Sequence, residues 1–346
     1  MTWTRIFRNV AQSSLMGVAL VLAGSASSSS EPVSEFYRGR TLSLVVGYSA
    51  GGGYDLYARA LSRHIGRHIP GNPNVVVQNM PGAGSRKATQ FMFQAAPRDG
   101  TYIATVGRNE PVAPLIEKDA NFDARKLVWL GSIASDNSVC IASSKAPVKS
   151  AEDMFKIEMT LGALSAGDNT VNVPAMLSNL LGAKLKIVTG YPGTPELLIA
   201  LERNEIDGIC GISWRAFAAQ RLDWITEGKV RILLEVAFET DPDMPRTPSV
   251  LSFLNHDQKA IFAMMIATQA MARPFFASAG IPEDRANTLR AAFAATMADQ
   301  AFVNDLGNMG LFFKPLGGKE IESLIHSLYA SPADVIEQSA RAIRYK

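Results

Sequence analysis

An apolar strand pattern that breaks into a glycine-rich loop and then opens a helix constrains this chain more than any other short feature. It runs Leu42-Ser43-Leu44-Val45-Val46-Gly47-Tyr48-Ser49-Ala50-Gly51-Gly52-Gly53-Tyr54-Asp55. The β-branched run reads as a buried strand, and Asp55 opens a helical pattern that reaches about His68. Glycines at 47, 51, 52 and 53 permit positive φ and a close approach to the main chain. The loop N–H groups and the helix N-terminus behind them can hold an anion without any Lys or Arg.

Three loop motifs compete for this stretch. The nucleotide-binding P-loop pattern fails, because no Lys follows the glycines. The dinucleotide pattern G-x-G-x-x-G fails as well: counted from Gly51, the last position is Leu56. Gly47-Tyr48-Ser49-Ala50-Gly51 does match G-x-S-x-G between a strand and a helix, as in a nucleophile elbow. Ser49, however, comes before the several strands that a hydrolase sheet places ahead of its nucleophile, and no oxyanion loop precedes it. Asp241 or Asp243 with His256 or His326 supplies the required chain order, but any long chain offers such a set. An exported serine hydrolase using Ser49 is therefore the alternative reading.

The strand, loop and helix pattern repeats. Asn74–Asn79 reads as a strand running into the flexible turn Pro81–Ser85 and a helix to about Ala95, and Thr101–Val106 as a third strand ending in Gly107-Arg108-Asn109-Glu110. Leu127–Ile133 and Ser138–Ser143 carry the chain onward, and Ser150–Asp153 has the form of a capping box. A second alternating unit begins at Leu161–Leu164, turns through Ser165-Ala166-Gly167-Asp168-Asn169-Thr170 and continues as a helix to about Leu181. Lys184–Val188, Tyr191–Pro195, Glu196–Arg203 and Ile206–Cys210 then read as strand, turn, helix and strand. Strands alternating with helices predict parallel sheets whose loops gather at the carboxyl edges. The proline-rich Asp241–Pro248 reads as a crossover. Beyond it, Ala267–Ala272 is a strand candidate, and helices are expected near Glu283–Asp299, Lys319–Tyr329 and Pro332–Ile343, packed back on the first unit.

The N-terminus reads as a secretory signal peptide: basic Arg5 and Arg8, the apolar core Leu15–Ala23, then Gly24-Ser25-Ala26, with cleavage expected after Ala26. That core is too short to cross a bilayer, which takes roughly 17–25 residues. Removing residues 1–26 lowers the formal net charge from +2 to zero, so no basic face and no nucleic-acid partner are implied. The two cysteines, Cys140 and Cys210, are too few for a disulfide scaffold; an exported chain could oxidise them into one bridge, but sequence does not give their separation, and the expectation is two buried small apolar residues. His64 and His68 stand four apart, but Ile65 occupies the place of a zincin's Glu, so a solvated helix face is expected and no metal or cofactor.

The order and spacing of several short motifs carry a resemblance. After the signal peptide come Phe36-Tyr37-Arg38-Gly39-Arg40, Gly51-Gly52-Gly53-Tyr54-Asp55 with Ala58-Arg59, Asn79-Met80-Pro81-Gly82-Ala83-Gly84 and Pro97-Arg98-Asp99-Gly100-Thr101. Tyr191-Pro192-Gly193-Thr194-Pro195 and Glu205-Ile206-Asp207-Gly208 follow in the second unit. Over essentially the whole mature chain this resembles the Bug family, the periplasmic solute-binding proteins of tripartite tricarboxylate transporters.

The resemblance implies an α/β, two-lobed, periplasmic-binding-protein-like (type II) fold with a hinged, Venus-flytrap cleft. Residues 35–137 plus 247–346 are expected to form the first lobe and 138–246 the second. It implies a non-enzymatic, monomeric, periplasmic receptor that captures a small carboxylate and delivers it to integral membrane subunits. Carried over, the ligand loops are Tyr48, Ser49, Ala50, Gly51, Gly52, Gly53 and Tyr54, with Asp55 fixing the helix start, and Ser165, Ala166, Gly167, Asp168, Asn169 and Thr170 opposite. Arg108 follows the third strand at the same edge and is a candidate direct contact, and Ser85 and Asn109 are candidate hydrogen-bond partners. Tyr48, Tyr191 and Trp214 are candidate walls for the ligand's carbon skeleton. Tyr54 stands where Thr is common in the family, and the second loop has Asp168-Asn169-Thr170 in place of a Gly/Ser-rich turn with a nearby His. An Asp beside a bound carboxylate is repulsive, so Asp168 is expected either to turn away as a cap or to meet a ligand carrying a donor or a cation.

Overall fold

The computed structural model describes residues 31–345; the expected signal peptide at 1–26 lies outside the described residues. Eleven described strands follow in order: β1 (Thr41–Val46), β2 (Asn74–Asn79), β3 (Tyr102–Thr105), β4 (Val128–Ser132), β5 (Ser138–Ser143), β6 (Met159–Gly162), β7 (Leu185–Val188), β8 (Gly208–Ser213), β9 (Val230–Val236), β10 (Pro274–Ala277) and β11 (Leu316–Gly317). They form a six-stranded sheet, β11-β4-β10-β3-β1-β2, and a five-stranded sheet, β7-β6-β8-β5-β9. This is the α/β, two-lobed architecture expected of the chain.

β1 is buried from Leu42 onward because helices cover both faces of its sheet, as its continuous apolar run requires. It pairs in parallel with β2 and β3, and β6 pairs in parallel with β7 and β8. Neither sheet is parallel throughout, in contrast to the expectation. β10 enters antiparallel between β3 and β4, and β5 lies antiparallel between β8 and β9. A strand that arrives from the other sheet completes no strand-helix-strand crossover within its own sheet and is not held to the parallel sense. β9 and the helix Trp214–Thr226 are further elements that the sequence pattern did not reveal.

The apolar segment Ala267–Ala272 is not a strand. It closes the helix His256–Ala267, started by a capping box between Asn255 and Gln258, and continues as a 3-10 turn over Thr268–Met271. Short apolar runs do not distinguish buried helix from buried strand, and the strand begins only at Pro274. The helices Glu283–Met297 and Gly318–Tyr329 pack against β4, as expected of the tail. The last helix, Ala333–Ala342, instead packs on His256–Ala267, in one apolar cluster with Met159 and Leu161 of the five-stranded sheet.

Cys140 and Cys210 are partners in register on β5 and β8 and are joined by a disulfide, which corrects their reading as two separate buried residues. Each is fully buried, so the small apolar environment is as read, but the pairing of their strands brings the sulfurs together. His64 and His68 also differ from a freely solvated face. His64 Nε2 lies 2.9 Å from Asp305 Oδ2 and His68 Nε2 2.8 Å from Asp299 Oδ2, and Arg63 and Arg67 join the same carboxylates.

These ion pairs tie the first helix to the C-terminal helices. Hydrogen bonds from Arg67 and then His68 hold the Asp299 carboxyl well below its ordinary value of 3.8. At Asp305, burial works the other way, but His64 and Arg63 outweigh it and lower that carboxyl too. A depressed folded-state pKa contributes stability that is present above the unfolded value and lost as pH falls through the folded one. The melting temperature is therefore expected to drop as pH is lowered below about 4. In a thermal melt series, Asp299→Asn should lower the midpoint at pH 7 and flatten that acid limb.

Candidate functional site

The first glycine loop leaves the carboxyl end of β1 and turns into the helix Gly53–His64, two residues earlier than the pattern suggested. Its N-cap is Gly52, which has no side chain to cap the first turn. Asp55 sits within that turn and is 1% exposed. Its Oδ2 accepts from Gly51 N (2.8 Å) and Arg59 Nε (2.8 Å), and its Oδ1 accepts from Asn79 Nδ2 (2.9 Å). The same Asn79 amide donates to the Tyr48 carbonyl (3.0 Å). Burial raises the Asp55 pKa, but Arg59, Gly51 and Asn79 together outweigh it and hold the carboxyl below its usual range. Asp55 thus fixes the loop's shape, and its hydrogen bonds point to the loop and to Asn79 and Arg59.

The second turn leads from β6 into the helix Asn169–Leu181. Asp168 is its N-cap: Oδ1 accepts from Thr170 N (2.8 Å) and Thr170 Oγ1 (2.7 Å). Its other oxygen accepts from the Tyr48 hydroxyl (2.8 Å), so the carboxylate bonds across to the first loop. Burial, and then Asp168, push the Tyr48 hydroxyl well above its ordinary pKa and keep it a donor. Tyr54 stacks on Tyr48 with ring centroids 4.5 Å apart.

Both turns open onto one small cavity of about 60 Å³. Of the expected site residues it brings together Tyr48, Gly52, Gly53, Tyr54, Arg108 and Asn109 with Gly167, Asp168, Asn169 and Thr170. Ser49, Ala50, Gly51 and Asp55 do not line it. Ser49 Oγ instead donates to Glu196 Oε2 (3.0 Å) across the cleft mouth. Ser85, Ser165 and Tyr191 line a neighbouring hollow of about 270 Å³, with Tyr48 and Leu164 shared between the two spaces. Ser85 Oγ accepts from Gly107 N (2.8 Å). Ala166 lines neither space, and Trp214 faces a separate groove of about 1160 Å³.

Two buried arginines flank the cavity. Arg108 Nη1 donates to the Asp136 carbonyl (3.1 Å), Nη2 bonds to Ser138 Oγ, and its backbone N donates to the Tyr54 hydroxyl (3.0 Å). Because a guanidinium offers donors only, the Asn169 amide presents its oxygen to Arg108 Nε (2.7 Å) and Nη2 (2.5 Å).

Arg273 was not among the expected residues. It is 2% exposed, and its Nη2 donates to Ser213 Oγ (2.7 Å) and approaches Asp136 Oδ2 (3.5 Å). Its Nη1 donates to the Ala272 carbonyl (2.7 Å), and the guanidinium lies over the Tyr54 ring, 4.7 Å from its centroid. Its Nε finds no hydrogen-bond partner among the described residues. One signal was present: a lone Arg inside the apolar run Met271-Ala272-Arg273-Pro274-Phe275-Phe276 has to pair once buried. Gly211 and Ser213 of β8 also line the cavity, and Asp136, in the turn between β4 and β5, stands behind Arg273; only the fold brings them together.

The arrangement is one of donors and not of reacting groups. Ser49 has no histidine on its hydroxyl, and His64, His68 and His256 each face an aspartate instead. No group of three His, Cys, Asp or Glu side chains suited to a metal occurs among the described residues. Main-chain amides at a helix start, two cations and several neutral amides and hydroxyls can hold an anion without changing it.

Residues 58–339 match the model of the tripartite tricarboxylate transporter family receptor. A UPF0065 protein of Bordetella pertussis is 26% identical over 301 residues, covering 85% of this chain and 86% of that protein. Among solved structures, the periplasmic binding protein BugD superposes with a TM-score of 0.69 at 20% identity, covering 88% of this chain and 98% of its own. MatC from Rhodopseudomonas palustris with bound malate gives a TM-score of 0.67 at 20% identity, covering 86% and 99%. At such identities the two structures speak for the fold, and the family rests on the match that spans most of the chain. The protein belongs to the tripartite tricarboxylate transporter receptor family, and is a solute-binding receptor and not an enzyme.

Proposed function

We propose that this receptor works in the periplasm as a monomer, closes two lobes on a small carboxylate, and passes it to integral membrane subunits of a tripartite transporter. The observation that carries this reading is the shared cavity, where the uncapped helix start at Gly52–Tyr54 faces the turn at Gly167–Thr170. Malate on the similarly folded MatC supports a carboxylate as the solute class. The moving bodies are read as residues 35–137 plus 247–346 and residues 138–246, with the helices His256–Ala267 and Ala333–Ala342 seated against the second. Tyr48–Asp168 and Ser49–Glu196 are bonds that form as these bodies close.

The magnitudes are adequate. Charge-assisted hydrogen bonds contribute roughly 1.5–3 kcal/mol each, and a well-placed helix end up to ~2 kcal/mol. A micromolar complex needs about 8 kcal/mol. A few donors therefore suffice after ordering costs.

A thermal-shift screen against three- to six-carbon carboxylates, run beside an ester-hydrolysis assay, tests the proposal. At saturating ligand the wild type should gain about 4 °C or more with at least one acid. Ser49→Ala should respond to the same acid, and neither protein should turn over an ester. A carboxylate library that shifts nothing overturns the proposal, and hydrolysis that disappears in Ser49→Ala would restore the serine-hydrolase reading.

A further inference from the structure

Two helix starts face the cavity, and they are not equivalent. The first, at Gly52–Tyr54, carries no side-chain cap and leads a helix of 12 residues. A Cβ placed on Gly53 would lie 3.3 Å from Arg273 Nη2, so the cation stands directly beside those amides. Arg273 is almost fully buried, and its Nε has no acceptor among the described residues. A buried, unpaired N–H on a cation is costly and calls for an incoming acceptor.

The second helix start already holds an anion of its own. The Asp168 carboxylate caps Thr170 N through one oxygen and accepts the Tyr48 hydroxyl through the other. The positive end of that helix is thereby answered from within the chain. A ligand carboxylate placed there would face Asp168 in a low-dielectric cleft, where like charges repel strongly. The remaining wall on that side is apolar or neutral: Leu164, Ile212, Phe217 and Thr170. Arg108 lies beside Asn169 at this same helix start, fixed by the Asp136 carbonyl, Ser138 and Asn169, and its charge is answered by Asp168, so the pair leaves that end close to neutral and with no cation to spare for a second carboxylate.

We infer that the solute is a monocarboxylate: its one charged group sits at Gly52–Tyr54 beside Arg273, and an uncharged far end meets the Asp168 turn. The inference rests on the carboxylate-receptor reading and narrows it. The charge asymmetry between the two helix starts disfavours an acid that is ionised at both ends.

Length-matched pairs separate the possibilities: succinate against succinamate and adipate against adipamate, titrated calorimetrically into the full receptor at pH 7.5, where both carboxyls of the diacids are ionised. The better monoacid should bind at least about 10-fold more tightly than its diacid, about 1.4 kcal/mol. Asp168→Asn keeps a residue that caps helices well, so the variant should fold, and it should shrink that ratio to within about 3-fold. A diacid that binds as tightly as its monoamide, or more tightly, overturns the single-charge inference while leaving the carboxylate receptor standing. A ratio untouched by Asp168→Asn also overturns it, because the discrimination would then arise elsewhere. If neither member of either pair binds, a single-charge acid of four or six carbons does not fit between the two turns and the inference falls, while the wider carboxylate screen still decides the receptor reading.

Discussion

Arg273→Met should weaken carboxylate binding by roughly 10- to 100-fold and lower stability by about 3–5 kcal/mol. The binding loss corresponds to one charge-assisted hydrogen bond at a desolvated site. The stability loss has a separate origin, because Asp136 is 6% exposed and would remain as a buried carboxylate without its cation. Arg215 N and Ser213 Oγ would still reach that carboxylate, which limits the damage without cancelling it. Pairing Arg273→Met with Asp136→Asn separates the two effects. The double variant should recover part of the stability in urea melts and none of the affinity in calorimetry. Unchanged affinity in the single variant would show that Arg273 serves the fold alone.

Gly211→Ala should destabilise the protein by about 2–4 kcal/mol, combining backbone strain with overpacking. Gly211 has φ +83°, a region that L side chains rarely adopt. A Cβ there would also lie 2.7 Å from the carbonyl carbon of Asn169 and 3.2 Å from Val173 Cβ. Both belong to the first turns of the helix whose start forms the second half of the site. Something rigid has to shift, and what shifts is the binding turn. Gly182→Ala is the matched control: φ is +73°, but nothing lies within 4 Å of the added carbon. Its cost should stay near 1 kcal/mol, the backbone term alone. Equal midpoints for the two variants in chemical denaturation would show that Asn169 and Val173 yield freely.

The parts of this molecule that could be read from residue order are those governed by local chemistry. β2 and β5 lie over Asn74–Asn79 and Ser138–Ser143 as their β-branched and apolar patterns suggest. Ser150 and Asp153 bond reciprocally at the start of their 3-10 turn, because that signature needs only neighbours in sequence. Asp168 caps its helix, since an Asp ahead of a helix finds its amide partner two residues on, but it does not turn away as expected of a cap: it lines the cavity, and its other oxygen accepts from Tyr48. Other features depend on which surfaces meet. The antiparallel entry of β10, the Cys140–Cys210 bridge and the aspartates facing His64 and His68 all join residues far apart in the chain. Arg273 is the clearest case, because its partners Asp136, Ser213 and Tyr54 come from three separate segments. A charged residue in an apolar run announces that a partner exists without saying where.

The position of a bound carboxylate is the central matter, and a crystal structure of the receptor with its tightest-binding acid tests it most directly. The carboxylate should lie within hydrogen-bonding distance of the Gly53 or Tyr54 amide and of the Arg273 guanidinium, with the rest of the molecule directed toward Asn169 and Thr170. An acid found in the hollow beside Tyr191, or in the groove beside Trp214, with the cavity between the two turns unchanged, would contradict it.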